Sequence, residues 1–111
     1  MEQMGPHYCI ERTPDGLALI GEVDLAASRE VHEGLVSLLA PGATVTVELS
    51  AVTFIDSSGL DALLRAHRHA ESNDARLVLR APSARVHRLF ELTGIATMFE
   101  IDGAPERGPV D

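Results

Sequence analysis

The residues with the clearest chemical potential are the neighbours Asp56, Ser57 and Ser58, which supply one carboxylate and two hydroxyls. They follow the apolar pair Phe54-Ile55 and precede a pattern that predicts a helix. The first N–H groups of a helix lack partners inside it, and Asp and Ser side chains can cap them. These groups and the positive end of the helix dipole would also stabilise a phosphate on an exposed hydroxyl. The local pattern is therefore compatible with a helix cap, a nucleophilic serine, or a serine that another protein phosphorylates.

The enzymatic interpretation lacks the other groups that it would need. A nucleophilic serine requires a base and an oxyanion hole. Residues 56–60 read DSSGL rather than G-x-S-x-G, and no recognisable signature ties a histidine to Ser57. His67 and His69 resemble a metal pair, but helix residues two apart point to roughly opposite sides. We therefore expect no catalytic activity, no metal and no cofactor. A hydrolase remains the alternative of a different class, and labelling of Ser57 by an active-site phosphonate would reveal it.

The composition argues against several functions. The chain of 111 residues has the length of one domain, and 45% of its residues are hydrophobic. The net charge of -8 and the pI near 5.0 argue against nucleic acid and anionic membranes as partners. No apolar segment approaches the roughly 20 residues that cross a bilayer, and residues 1–10 lack a signal-peptide pattern. The single cysteine, Cys9, is expected to be buried in a strand and indicates a cytoplasmic location.

Strand and helix patterns alternate along the chain. Strands are predicted for residues 7–12, 17–23, 43–49 and 76–80, and for part of 95–101. Helices are predicted around residues 31–39, from about Ser57, and from Pro82 with Val86, Leu89 and Phe90 facing inward. The turn at residues 14–16 should join the first two strands into a hairpin.

This order predicts an α/β domain over residues 1–101. Its mixed sheet should have an antiparallel first strand, be largely parallel otherwise, and be flanked by helices. Residues 102–111 are rich in Gly, Pro and charge, and we expect a flexible tail. Sites in such sheets tend to lie beyond the carboxyl ends of the strands. Ser57 falls there, after a connection from the predicted strand end at Leu49.

Three segments together resemble one family. FIDSSGL (residues 54–60), GEVD (21–24) and RLFELTGI (88–95) occur in the order and at the separations of the anti-sigma factor antagonists, which are single-domain bacterial STAS proteins. The resemblance implies a STAS fold and a partner-switching function. The unphosphorylated antagonist binds an anti-sigma factor that is also a GHKL-type serine kinase, and this frees the sigma factor. The kinase uses its bound ATP to phosphorylate the antagonist, which then dissociates, and a phosphatase resets it.

The resemblance also implies a role for individual residues. Ser57 matches the phosphorylated serine, and Ser58 would support the helix start. Asp56 would orient the acceptor loop, and Gly59 would leave room for the partner. Asp24 matches an acidic residue near the phosphorylation site, although it could equally be a cap of the first helix.

Two features depart from the family pattern. Asp61 stands where the family often has Gly, and it could pair with Arg65 while adding negative charge to the docking surface. The helix that commonly follows the last strand in the family is short or missing. The alternative within the fold is a STAS subunit of a scaffold or lipid-transport assembly without serine phosphorylation. Arg85, His87 and Arg88 are interpreted as a solvated face that could help to dock an acidic partner.

Overall fold

Strands and helices alternate along the chain in the predicted manner. The computed structural model describes residues 2–5 and 7–103, so the predicted tail lies outside the described residues from position 104 onward. The elements are β1 (Glu2–Met4), β2 (Tyr8–Thr13), β3 (Gly16–Val23), α1 (Leu25–Leu38), β4 (Thr44–Ile55), α2 (Ser57–Ser72), β5 (Arg76–Arg80), α3 (Ala84–Leu92), a 3-10 turn (Ile95–Thr97) and β6 (Glu100–Asp102). Within the described residues, no helix is both long and apolar enough to span a membrane.

The six strands form one mixed sheet in sequential order. β2 is antiparallel to both neighbours, whereas β3–β4, β4–β5 and β5–β6 are parallel pairs. The hairpin of β2 and β3 is confirmed, with Tyr8 opposite Gly21 and Thr13 opposite Gly16. The predicted mixed α/β fold is therefore confirmed. The sequence analysis does not predict β1, because Glu2-Gln3-Met4 contains no β-branched or aromatic residue.

Each α-helix connects two adjacent parallel strands and buries one apolar face. α1 and α2 pack against each other, and Ala62, Ala66 and Ala70 recur every fourth residue on the buried face of α2. These small side chains allow α2 to pack closely against the core. Fully buried residues from all layers complete the core, including Leu19, Val31, Leu35, Val47, Leu49, Leu63, Leu79 and Phe90.

The predicted end of the central strand at Leu49 is wrong, because β4 continues to Ile55. β4 gains one extra residue relative to β3 between Glu48 and Ala51, and another between Val52 and Phe54. Such bulges twist a strand and redirect its side chains. Leu49, Val52 and Ile55 are consequently buried at intervals of three residues instead of two. The alternating pattern that identifies a strand is lost although the strand continues.

Two smaller predictions need correction. Cys9 is partly exposed instead of buried, because successive strand residues face opposite sides of the sheet and its neighbour Ile10 occupies the core. Pro82 lies before α3 instead of in its first turn. The helix begins at Ala84 after the cap Ser83, whose hydroxyl accepts a hydrogen bond from the Val86 N–H group at 3.2 Å.

Candidate functional site

Asp56 caps the helix that carries the candidate serine. Its carboxylate oxygen Oδ1 accepts a hydrogen bond from the Gly59 N–H group at 3.0 Å, and its backbone is extended. The Asp56 N–H group donates to the carbonyl oxygen of Val23 at 3.2 Å, which ties the start of α2 to the end of β3. A cap of this kind typically stabilises a helix by about 1 kcal/mol. Asp56 is therefore the cap of α2, and neither serine has this role.

Ser57 is the more accessible of the two hydroxyl residues. It is the first residue of α2 and is exposed, whereas Ser58 is half-buried. Within the part of the chain that the structure describes, the Ser57 hydroxyl makes no hydrogen bond. Ser57 thus presents the more exposed of the two serine hydroxyls at the positive end of a 16-residue helix.

Gly59 is buried against β3, so the expectation that it leaves room for a partner needs correction. A Cβ atom at this position would lie 2.3 Å from the Val23 carbonyl oxygen and 2.7 Å from Cγ1 of Ile55. Real Cβ atoms do not approach other atoms so closely. The missing side chain therefore allows α2 to pack on the sheet, and Gly59 positions Ser57 from inside the protein.

Asp24 occupies a place equivalent to that of Asp56. Its oxygen Oδ1 accepts hydrogen bonds from the N–H groups of Ala26 at 3.0 Å and Ala27 at 3.4 Å, which makes it the cap of α1. β3 and β4 end side by side, with Val23 opposite Ile55, and each aspartate follows directly. Asp24 therefore fits both interpretations of the sequence. It caps α1, and it lies at the same edge of the sheet as Ser57.

Asp61 lies on the exposed side of α2, one turn after Ser57. Its oxygen Oδ2 is 3.0 Å from Nε of Arg65, as expected from the sequence. Both side chains are about half exposed, so the ion pair contributes little to stability. It nevertheless partly offsets the negative charge that Asp61 adds beside the serine.

The sequence analysis missed an apolar groove next to this edge. We call it the Phe54 groove; it has a volume of about 410 Å³ and is lined by Phe54, Ile55, Arg85, Val86, Arg88, Leu89 and Leu92. β5 ends at Arg80, opposite Glu48, so β4 continues past its neighbour and α3 lies beside the projecting part. Phe54 is 47% exposed and Leu92 71% exposed. The sequence offered two partial signals for this groove: the motifs FIDSSGL and RLFELTGI contribute to its lining, and Arg85 and Arg88 belong to the face that could dock an acidic partner.

The main ionic cluster of the sheet lies away from the serine. Arg80 hydrogen-bonds Glu48 and Asp15, each at 2.9 Å, and these bonds lower the pKa values of both carboxyl groups. Arg76 pairs with Glu100 across β5 and β6. Arg76 and Arg80 alternate with the buried Leu77 and Leu79 along β5, so these contacts lie on the opposite face of the sheet and are not part of the candidate site.

The two histidines of α2 have separate surroundings. The half-buried His67 ring lies 5.1 Å from the ring of Phe99, whereas Nε2 of His69 is 2.9 Å from the Asn73 amide. Among the described residues, no group of three or more potential metal ligands is assembled. His69 is also partly buried.

The mixed sheet, with a serine at the start of the helix after β4, agrees with the class of the chain, which is a STAS-domain protein by its match to a family model. A family model described as "Mlab, STAS domain" matches residues 7–100. Among curated relatives, the anti-sigma-B factor antagonist of Listeria monocytogenes is 33% identical over 94 residues, which is 82% of each chain. The anti-sigma-B factor antagonist of Bacillus subtilis is 30% identical, covering 81% of this chain and 83% of the relative. The chain belongs to the anti-sigma factor antagonist family of STAS-domain proteins.

Solved structures agree with this fold. An anti-sigma factor antagonist from Mycobacterium paratuberculosis superposes with a TM-score of 0.65 at 22% identity, over 90% of each chain. The Bacillus cell fate determinant SpoIIAA, in a structure of its phosphorylated form, has a TM-score of 0.62 at 24% identity and covers 86% of this chain and 89% of its own. At these identities the similarity establishes the fold alone.

Proposed function

We propose that this protein is an anti-sigma factor antagonist that acts by partner switching, with Ser57 as its phosphorylated residue. The observation that carries the proposal is the position of Ser57, which is exposed, unengaged by other described residues and first in a capped helix. The names of the curated relatives support the same function. In the unphosphorylated form, the protein binds an anti-sigma factor and thereby frees a sigma factor.

The chemistry of Ser57 explains how phosphorylation reverses this binding. A phosphate adds a charge of about -1.5 to -2 and three acceptor oxygens. The start of α2 tolerates this charge locally because of its N–H groups and dipole. For a partner, however, the phosphate adds to the carboxylates of Asp56 and Asp61 on a chain that already carries a net charge of -8. Like-charge repulsion and the cost of desolvating the phosphate then favour dissociation.

The remaining site residues support this switch in distinct ways. Asp56 holds the acceptor loop through its bond to Gly59, and Gly59 fixes the distance between α2 and β3. Ser58 lies beside the acceptor serine in the first turn of α2, and Asp24 contributes a second carboxylate at the same edge of the sheet. The carboxylate of Asp61 repels the phosphates of the kinase-bound ATP and slows phosphorylation of Ser57.

The proposed partner is an anti-sigma factor with GHKL-type serine kinase activity, which supplies the ATP. A separate phosphatase resets the switch. In this proposal the protein itself is a substrate of the kinase and not an enzyme, in keeping with curated relatives that are named as regulatory antagonists. The acidic composition is unsuited to direct contact with nucleic acid or anionic membrane. Its place of action is the cytoplasm, where sigma factors work.

Mass spectrometry after incubation with ATP and each GHKL-type anti-sigma factor of the source organism tests this proposal. We expect one phosphate on Ser57 of the wild type and none on Ser57→Ala, which should bind the kinase without release. Ser58→Ala is the matched control and should retain phosphorylation at Ser57. Ser57→Asp should weaken kinase binding roughly 10- to 1000-fold, equivalent to about 1.4–4 kcal/mol. Phosphate on Ser58 would refute the residue assignment.

The alternative is a STAS subunit of a scaffold or lipid-transport assembly whose serine is not phosphorylated. The observation that favours this alternative is that the matched family model is described by its STAS domain and not as an anti-sigma factor antagonist. Under this alternative, none of the host's kinases would phosphorylate Ser57. Stable capture of a complex without an anti-sigma factor, combined with an unmodified Ser57, would support the alternative over partner switching.

A further inference from the structure

The Phe54 groove is an unusual surface for this protein. Most large apolar side chains of the described residues are buried, yet Phe54 and Leu92 border the groove at 47% and 71% exposure. The lining is mainly apolar and includes the partly buried Leu89 and the buried Ile55 and Val86. Exposed apolar side chains that cluster in a concave surface typically mark an interaction site.

The charges at the groove are also distinctive. Arg85 and Arg88 belong to its lining, and neither forms an ion pair within the described part of the chain. By contrast, Arg29, Arg65, Arg76 and Arg80 each pair with a carboxylate. On a chain with a net charge of -8, two uncompensated guanidinium groups beside apolar side chains form a local basic rim. Electrostatic complementarity across an interface favours a partner segment that carries carboxylates.

The groove adjoins the proposed phosphorylation site along the chain. Phe54 is three residues before Ser57, and Ile55 lines the groove while also contacting the position of Gly59. A partner that reaches the Ser57 hydroxyl therefore comes within a few residues of the groove.

We infer that the Phe54 groove docks an acidic amphipathic segment of the anti-sigma factor, with apolar side chains between Phe54 and Leu92 and carboxylates facing Arg85 and Arg88. This inference rests on the proposed function, since it names the chemistry of the partner that the function requires. The groove would supply affinity and partner selection, whereas Ser57 would control release.

Binding of the anti-sigma factor to charge and size variants tests the inference. Arg85→Glu reverses a charge in the first turn of α3, where a carboxylate also suits the helix dipole, so the fold should be retained. For Arg85→Glu we expect the anti-sigma factor to bind about ten- to a hundredfold more weakly, and its affinity should depend less on salt concentration. For Leu92→Ala we expect about tenfold weaker binding. Arg12→Glu is the matched control, because Arg12 is also exposed and lacks an ion pair among described residues but lies on β2. It should bind within about twofold of the wild type.

The outcomes separate this inference from the proposed function. Wild-type affinity in both Arg85→Glu and Leu92→Ala, with Ser57 still phosphorylated, would overturn the groove inference and leave partner switching intact. If no anti-sigma factor binds the wild type, partner switching fails. The groove is then tested with a fluorescein-labelled Glu/Leu amphipathic peptide and its Lys/Leu counterpart. Preference for the acidic peptide that Arg85→Glu abolishes supports the inference, and equal or weaker binding of the acidic peptide refutes it.

Discussion

Replacing Gly59 by alanine should destabilise the protein although alanine is the better helix former. The new Cβ atom would meet the Val23 carbonyl oxygen at 2.3 Å and Cγ1 of Ile55 at 2.7 Å. Side-chain rotation cannot relieve a contact with a backbone oxygen, so α2 or β3 must move. Overpacking of this kind costs about 1–3 kcal/mol, and the higher helix propensity of alanine returns about 0.8–1.0 kcal/mol. We expect a net loss of up to about 2 kcal/mol in the free energy of unfolding.

Gly34→Ala is the matched control because it makes the same chemical change inside α1. Its Cβ atom would meet only Cδ1 of Leu17, at 3.2 Å, and that atom ends a side chain that can shift slightly. The gain in helix propensity should then dominate, which gives a change of about 0 to +1 kcal/mol. Urea denaturation of both variants, with unchanged slopes, measures the two effects directly. Equal or greater stability of Gly59→Ala relative to the wild type would refute the packing role of Gly59.

Three further predictions concern the cap, the adjacent charge and the ionic cluster. Asp56→Ala should lower the free energy of unfolding by about 0.5–2 kcal/mol while Asp56→Asn preserves most of it, and indistinguishable thermal midpoints would contradict the capping role. Asp61→Gly should speed phosphorylation of Ser57 at low salt by reducing repulsion of ATP, so an unchanged rate would place Asp61 outside the docking surface. Because Arg80 lowers the pKa of Glu48, that carboxylate stabilises the fold above its ordinary pKa of 4.5, and the contribution is lost as the pH falls below it. The stability difference between wild type and Glu48→Gln should therefore shrink on acidification, and a constant difference between pH 6 and pH 3 would exclude this linkage.

Local patterns were sufficient for several elements whose conformation is determined within their own segment. The strand at residues 76–80 has the predicted boundaries, and α2 begins at Ser57 as expected. The aliphatic and β-branched residues of β5 determine the conformation of that strand, and the capping side chain of Asp56 determines where α2 begins. The hairpin of β2 and β3 also follows from its turn residues. Ser57 could be placed beyond the strand ends because it stands at the start of the helix that follows a predicted strand.

The start of α3 was misplaced by a local choice between Pro82 and the cap Ser83, but the errors that affect the site arose where two distant segments determine the outcome together. β4 continues beyond Leu49 because β3 pairs with it through two bulges, and no alternating pattern inside residues 50–55 reveals that partner. Position 59 must be glycine because a side chain there would collide with the carbonyl oxygen of Val23, a residue 36 positions earlier in the chain. The Phe54 groove likewise exists because β5 ends early and α3 lies beside the projecting end of β4. A single sequence can therefore locate the serine that would receive a phosphate, whereas the surface that would select its partner depends on the packing of elements that are far apart in the chain.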